Sequence, residues 1–399
     1  MMDRLAREGT AMTNAMTSCP LCVPARASLI SGQLPSNNGV LFNFNAISSD
    51  QATFLHSLTA SGYETVLCGR MHFVGPDQRH GYARRIAGDR TPVFHNNPPV
   101  PPELYDYYLD KVSLEDVKAP DWEHPALAGK MRETDPEVVR AARAAYYGLT
   151  ETVDRNMEMV YNAFQDYLRR TGREGIFIYI SDHGDMNGNR GYFGKQVFYD
   201  PSVHIPFLMA GSGIPAGKRI ESPVSLLDVG PTICQLAGAE VLPGDGKSLA
   251  PLLEGGEDPD RMVVSEQYTY LAAGGSSLGR MVRWKNWKFV TYSGFSGEDL
   301  LFDMEKGPGE LENVIARHPD TAACLRKEAE KYRSYDQVME HERWVLRQLR
   351  VLMACDYEDT KEHWQCPALP MVENPVKRKE PFQPTPWVKT MRKAIAEGL

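Results

Sequence analysis

The chain has 399 residues, enough for one large domain or two of unequal size. Lys+Arg 44 against Asp+Glu 52 gives a net charge of −8, which argues against a nucleic-acid partner or an anionic membrane surface. No run approaches the apolar length that spans a bilayer. The seven cysteines are odd in number and scattered apart from Cys19 and Cys22, so free thiols in a reducing compartment, the cytoplasm, are expected in place of a disulfide framework.

The chain opens Met1-Met2-Asp-Arg-Leu-Ala-Arg-Glu-Gly9-Thr, with no signal-peptide pattern. The stretch that dominates the reading follows at Cys19-Pro-Leu-Cys22-Val-Pro24-Ala-Arg26-Ala-Ser-Leu-Ile-Ser-Gly32. Pro24 fits a first helical turn, residues 25–31 continue as helix, and Gly32 stops it. Cys22 therefore falls just before a helix N-terminus, where unpaired N–H groups and the dipole favour an anion. Arg26 lies about one turn further on and aims a fixed cation at the same anion. A Cys-x-x-Cys redox or zinc motif is the competing reading. With no second such pair in the chain, it leaves Pro24 and Arg26 without a purpose.

Residues 53–60 read as a helix closed by Gly62, and 63–68 as a short buried strand ending at Gly69. Arg70-Met-His72 then sits beyond the carboxyl end of that strand, where ligands collect in parallel α/β sheets. His95, before Pro98-Pro-Val-Pro-Pro102, has a solvated loop histidine as its default reading, and His124 is a weaker contender for a site. Thr134-Asp135-Pro136-Glu137 starts a helix that runs to about residue 170. A stripe including Val139, Ala142, Tyr146, Leu149, Val153, Val160 and Phe164 is expected to pack on a sheet. Ile176-Phe-Ile-Tyr-Ile180 is a continuous apolar run, as in a central strand buried on both faces, and ends in Ser181-Asp182-His183-Gly184-Asp185. Lys195 follows in a glycine-rich loop, and His204 opens another buried strand over 204–210. From about residue 258 short antiparallel strands take over, and beyond about 354 the tail is rich in Pro and Lys.

The Cys22-x-Pro24-x-Arg26 pattern, followed by a small residue and Gly32, resembles the sulfatase signature of the alkaline-phosphatase superfamily. From Val40 to Tyr82 the chain is similar to choline-sulfatase-like members without a gap. The resemblance implies an α/β fold: a mostly parallel sheet sandwiched by helices, with a small C-terminal antiparallel subdomain. It divides the chain into a catalytic domain over 1–257, the subdomain over 258–353 and an extended tail over 354–399. It also implies that Cys22, and not Cys19, is converted to formylglycine by a formylglycine-generating enzyme. Asp182 and His183 match the pair that completes the family's metal site, with Ca2+ expected and Mg2+ or Mn2+ as alternatives. Arg26, Arg70 and Lys195 would hold sulfate oxygens and His72 would serve as base. Arg70 stands where relatives carry a lysine, and His204 where many carry arginine. Asn43, His95 and His204 are further candidates for binding substrate, His95 about one position out of register.

The implied activity is hydrolysis of a sulfate monoester, on a small molecule or a carbohydrate, to alcohol and inorganic sulfate; choline O-sulfate is one candidate. A phosphodiester or phosphonate monoester hydrolase of the same superfamily is the alternative. In the family the first helix follows a strand ending in two metal-binding aspartates, and this sequence shows no such strand. A mis-called start or lost residues is the expectation, with an inactive homologue as the remaining option. The long tail is able to reach a neighbouring subunit, which leaves a homo-oligomer open.

Overall fold

The computed structural model describes residues 1–75, 77–87, 100–117, 122–130, 132–256 and 258–354. The elements that frame the site in the first half are α1 (Met2–Glu8), β1 (Thr10–Met12), α2 (Cys22–Ser31), α3 (Phe54–Ala60), β2 (Val66–Cys68), β3 (Arg84–Ala87), α4 (Pro136–Thr171) and β4 (Ile176–Ile180). After them come β5 (Phe207–Gly211), β6 (Lys218–Ile220), α5 (Val229–Ala237), β7 (Met262–Tyr270), β8 (Ser276–Trp284), β9 (Trp287–Tyr292), β10 (Leu300–Asp303), α6 (Pro319–Ala329) and α7 (Tyr335–Ala354).

Local sequence accounts for the helix ends. Gly32 closes α2 at φ 69, a left-handed position that suits glycine, and its N–H reaches Ser28 O at 2.8 Å. Asp135 caps α4 by accepting from the Glu137 and Val138 amides, Pro136 takes the first helical position and Gly172 ends the helix at φ 64.

The fold is α/β with a separate antiparallel sheet, as expected, but the main sheet is mixed and not mostly parallel. Its order is β4-β5-β1-β6. β4 pairs antiparallel with β5 (Ile176↔Gly211 to Ile180↔Phe207), β5 antiparallel with β1, and only β1 and β6 run parallel. The connection from β4 to β5 explains the difference. It contains no crossover helix longer than one turn, so the chain returns antiparallel.

Burial corrects three further expectations. β4 is an edge strand among the described residues, and all five of its residues are only half-buried. The strand expected over 63–68 is reduced to β2, with Val66 and Cys68 exposed; it pairs with β3 in a separate parallel ribbon. On α4, Val139 and Tyr161 are buried, but Tyr146, Val153 and Val160 are exposed. At 1.5 Å per residue, a helix of 36 residues outruns the short sheet it lies on.

The second sheet, β10-β9-β8-β7, is antiparallel throughout. Two buried ionic clusters fasten it to the rest. Glu266 of β7 accepts from Ser36 N (2.9 Å), Ser36 Oγ (3.0 Å) and Arg280 Nε (2.8 Å), while its own amide donates to Ser18 O at 2.8 Å. Lys288 of β9 is fully buried and donates to Phe198 O, Asp200 and Glu310. The Asp200 amide donates to Glu310 Oε2 at 2.8 Å, which closes the second cluster.

Removing one member of such a cluster leaves buried charge uncompensated. Lys288→Ala is expected to destabilise the fold by about 3–5 kcal/mol, read as a lower urea midpoint; an unchanged midpoint would refute that role.

Candidate active site

The nucleophile position is built by the entry into α2. Leu21 is extended at φ −150 and ψ 135, so Cys22 becomes the first helical residue. Leu21 offers no side-chain cap. Asn43 supplies one from outside, its Oδ1 accepting the Val23 amide at 2.9 Å. Asn43, a substrate-binding candidate in the sequence, is thus engaged as a cap of the nucleophile helix.

The second wall is the loop after β4. Gly184 passes so close to the next segment that a Cβ there would lie 2.1 Å from Pro201 O, and its amide donates to Ser202 O at 2.9 Å. That approach turns His183 toward α2. His183 Nε2 lies 3.1 Å from Cys22 Sγ, and Nδ1 is 2.7 Å from Gly184 O. Because a carbonyl only accepts, Nδ1 carries a proton and Nε2 is the ring nitrogen that meets residue 22. Asp182 Oδ2 accepts from Arg26 Nε at 2.8 Å, and Arg26 Nη1 donates to Arg70 O at 2.8 Å.

Electrostatics follow from these contacts. Burial pushes the Cys22 thiol up, but the His183 hydrogen bond and the Lys195 charge outweigh it and hold the thiol below its ordinary value. Burial alone would lower His183; the Cys22 bond and the Asp182 charge raise it instead. Burial would raise Asp182, and the His183 and Arg26 charges bring it below the usual carboxylate range. The result is a half-buried thiol at the N-terminus of a 10-residue helix, flanked by cations.

Cys22, Arg26, Asp182, His183 and Lys195 are therefore brought together. The Gln196 amide donates to Pro20 O at 3.1 Å and so pins the Lys195 loop to the nucleophile turn. Arg70 joins through its backbone, and its Nη2 lies 3.0 Å from His72 Nδ1. His204 is not brought in: its side chain is exposed and its Nε2 is 3.1 Å from Thr13 O. That backbone contact draws the imidazole to the Thr13 turn, away from Cys22. His95 lies outside the described residues. His124 is a core histidine, its Nδ1 accepting the Ala126 amide at 3.0 Å and its ring 4.5 Å from that of Tyr292; burial lowers its pKa to about 4.

Sequence reasoning missed Thr17. Its Oγ1 contacts Cys19 O at 2.9 Å and Asp182 O, linking the nucleophile turn to the end of β4. A buried threonine two residues before a Cys-x-x-Cys pattern gives no local sign of a partner 165 residues away.

Asp182 Oδ2 and His183 Nε2 are 3.8 Å apart, and one donor atom each from Cys22, Asp182 and His183 lies within 4.8 Å of the others. This donor set, carboxylate oxygen and imidazole nitrogen facing residue 22, fits a divalent cation.

Comparison with known proteins agrees with this chemistry. The family model described as sulfatase matches residues 1–121 and 93–239, and that described as N-sulphoglucosamine sulphohydrolase, C-terminal, matches 188–335. Choline-sulfatase of Rhizobium meliloti (strain 1021) is 31% identical over 409 residues, covering 80% of this chain and 77% of that protein. A solved structure in complex with its substrate D-glucosamine-2-N,6-O-disulfate shares the fold at TM-score 0.69 and 20% identity, over 85% of this chain and 92% of that one. The phosphonate monoester hydrolase of Silicibacter pomeroyi shares it at TM-score 0.67 and 20% identity, over 83% and 89%. The chain thus belongs to the sulfatase family, for which formylglycine and a divalent metal are typical, and it is a sulfuric ester hydrolase.

Proposed function

We propose that this enzyme hydrolyses the sulfate monoester of a small or carbohydrate alcohol, with residue 22 as nucleophile after conversion by a formylglycine-generating enzyme. The observation that carries the reading is the placement of Cys22 at the start of α2, beside His183, Arg26 and Lys195. Likeness to a choline-sulfatase supports choline O-sulfate as the first substrate to try. The five described cysteines are free, which supports a reducing compartment such as the cytoplasm.

Formylglycine supplies hydroxyl groups for attack on sulfur and later release of sulfate, and a divalent cation supplies positive charge at the sulfate oxygens. Asp182 and His183 would hold that cation; the family resemblance and the hard Asp182 carboxylate make Ca2+ the first ion to try. Arg26 and Lys195 bind the sulfate and offset the negative charge that repels a nucleophile. The positive end of the α2 dipole adds to the same potential. Arg70 Nη2 can only donate, so His72 Nδ1 accepts from it, and that contact orients the imidazole proposed as base.

Four outcomes test the reading. Cys22→Ala should abolish turnover of an aryl sulfate; unchanged activity would overturn the nucleophile. The converted enzyme with Cys22 unsubstituted, assayed on matched aryl sulfate and aryl phosphodiester, should prefer the sulfate ester, and the reverse order would favour the phosphonate-hydrolase alternative. Lys195→Ala should lower kcat by about 10²–10³, the typical loss for one donor to developing charge; a change confined to KM would assign Lys195 to uniform binding. The fourth uses unconverted protein freed of metal. Alkylation of Cys22 should fall only as pH drops through a thiol pKa below the ordinary value, and His183→Ala should move that midpoint up. A midpoint that ignores His183 would refute the thiol–imidazole coupling.

A further inference from the structure

Until it is converted, residue 22 carries a sulfur. Cys22 Sγ is 3.1 Å from His183 Nε2, which is 3.8 Å from Asp182 Oδ2. A tetrahedral Zn2+ with bonds of about 2.0–2.3 Å keeps its sulfur, nitrogen and oxygen ligands roughly 3.4–3.6 Å apart. The Cys22 and Asp182 donors lie within 4.8 Å of each other, so shifts of about an ångström bring all three onto one ion.

The surroundings of these ligands suit that ion. His183 Nδ1 is held on Gly184 O at 2.7 Å, which fixes the ring with Nε2 outward, as metal-binding histidines require. Asp182 is held by Arg26 Nε and by the His183 amide, at 2.8 and 3.1 Å, so its carboxylate is oriented before any ion arrives. Three protein ligands of this kind leave a fourth position for water, as in zinc sites that remain open. Sulfur decides the selectivity: a thiolate favours a borderline-soft ion over a hard one such as Ca2+.

We propose that the unconverted chain binds Zn2+ through Cys22, Asp182 and His183, and that conversion of Cys22 changes the metal the site selects. The proposal rests on the assignment of Asp182 and His183 to the metal. Binding releases the thiol proton to solvent and forms a Zn–S bond. Conversion removes the sulfur, leaving oxygen and nitrogen donors. The same pocket thus reports maturation through its metal preference, and zinc on the immature form shields the thiol from alkylation and oxidation.

The test uses the full chain made without the formylglycine-generating enzyme, titrated with Co2+ as a coloured substitute for Zn2+. One equivalent should give a sulfur-to-cobalt charge-transfer band in the near ultraviolet, discharged by added Zn2+. Cys22→Ser should remove the band with circular dichroism unchanged, Cys19→Ser should keep it, and His183→Ala should weaken Co2+ binding at least about tenfold. A band that survives Cys22→Ser or vanishes in Cys19→Ser would overturn the proposal. Absence of the band, with calorimetry still showing Ca2+ bound by the converted protein, would overturn it while sparing the assignment of Asp182 and His183. Failure of both forms to bind any divalent ion would overturn both.

Discussion

The site depends on one docking event, the N-terminus of α2 meeting the C-terminal end of β4. Two contacts span it: Arg26 on Asp182 at 2.8 Å and Cys22 against His183 at 3.1 Å. Separated by about 160 residues in sequence, these partners meet only once the sheet has formed. Thr17 reinforces the junction from behind through Asp182 O. The contacts are half-buried, so their charges interact more strongly than in water without the full cost of burial. A nucleophile whose pKa is set by its neighbours needs those neighbours fixed, and here the backbone of a helix start and of a strand end fixes them.

The antiparallel sheet serves the same end by a different route. Glu266 grips Ser36 and Ser18 on either side of α2, and Lys288 grips the segment that follows Lys195. Replacing such buried ionic clusters with apolar residues of matching shape is often neutral or stabilising, so their presence is not explained by stability alone. Their directionality offers a reason, because the Glu266 carboxylate fixes Ser36, beyond the end of α2, in a way that apolar contact does not.

The chemistry was more legible in the sequence than the architecture. Cys22 and Arg26 stood out because they belong to a short pattern whose spacing carries the meaning, whereas Asp182, His183 and Lys195 were assigned through the family resemblance. Helix ends were legible for the same reason, as Asp135, Pro136 and Gly172 show. Sheet direction was not, since nothing within Ile176–Ile180 records whether its neighbour runs parallel or is present at all. The apolar stripe of α4 was over-read because periodicity marks a face and says nothing about how far the partner surface extends. Glu266 and Lys288 were invisible as ties, their partners lying far away along the chain.

The unpaired side of β4 bears on how the enzyme and its ion share their stability. Asp182 and His183 hang from a strand held by backbone hydrogen bonds to β5 alone among the described residues. Such a strand opens locally at lower free energy than one held on both sides. An ion that binds Asp182 and His183 only in the closed arrangement stabilises β4 by mass action, by about 1.4 kcal/mol for each tenfold excess over its dissociation constant. Metal content and the persistence of this strand are then two views of a single equilibrium.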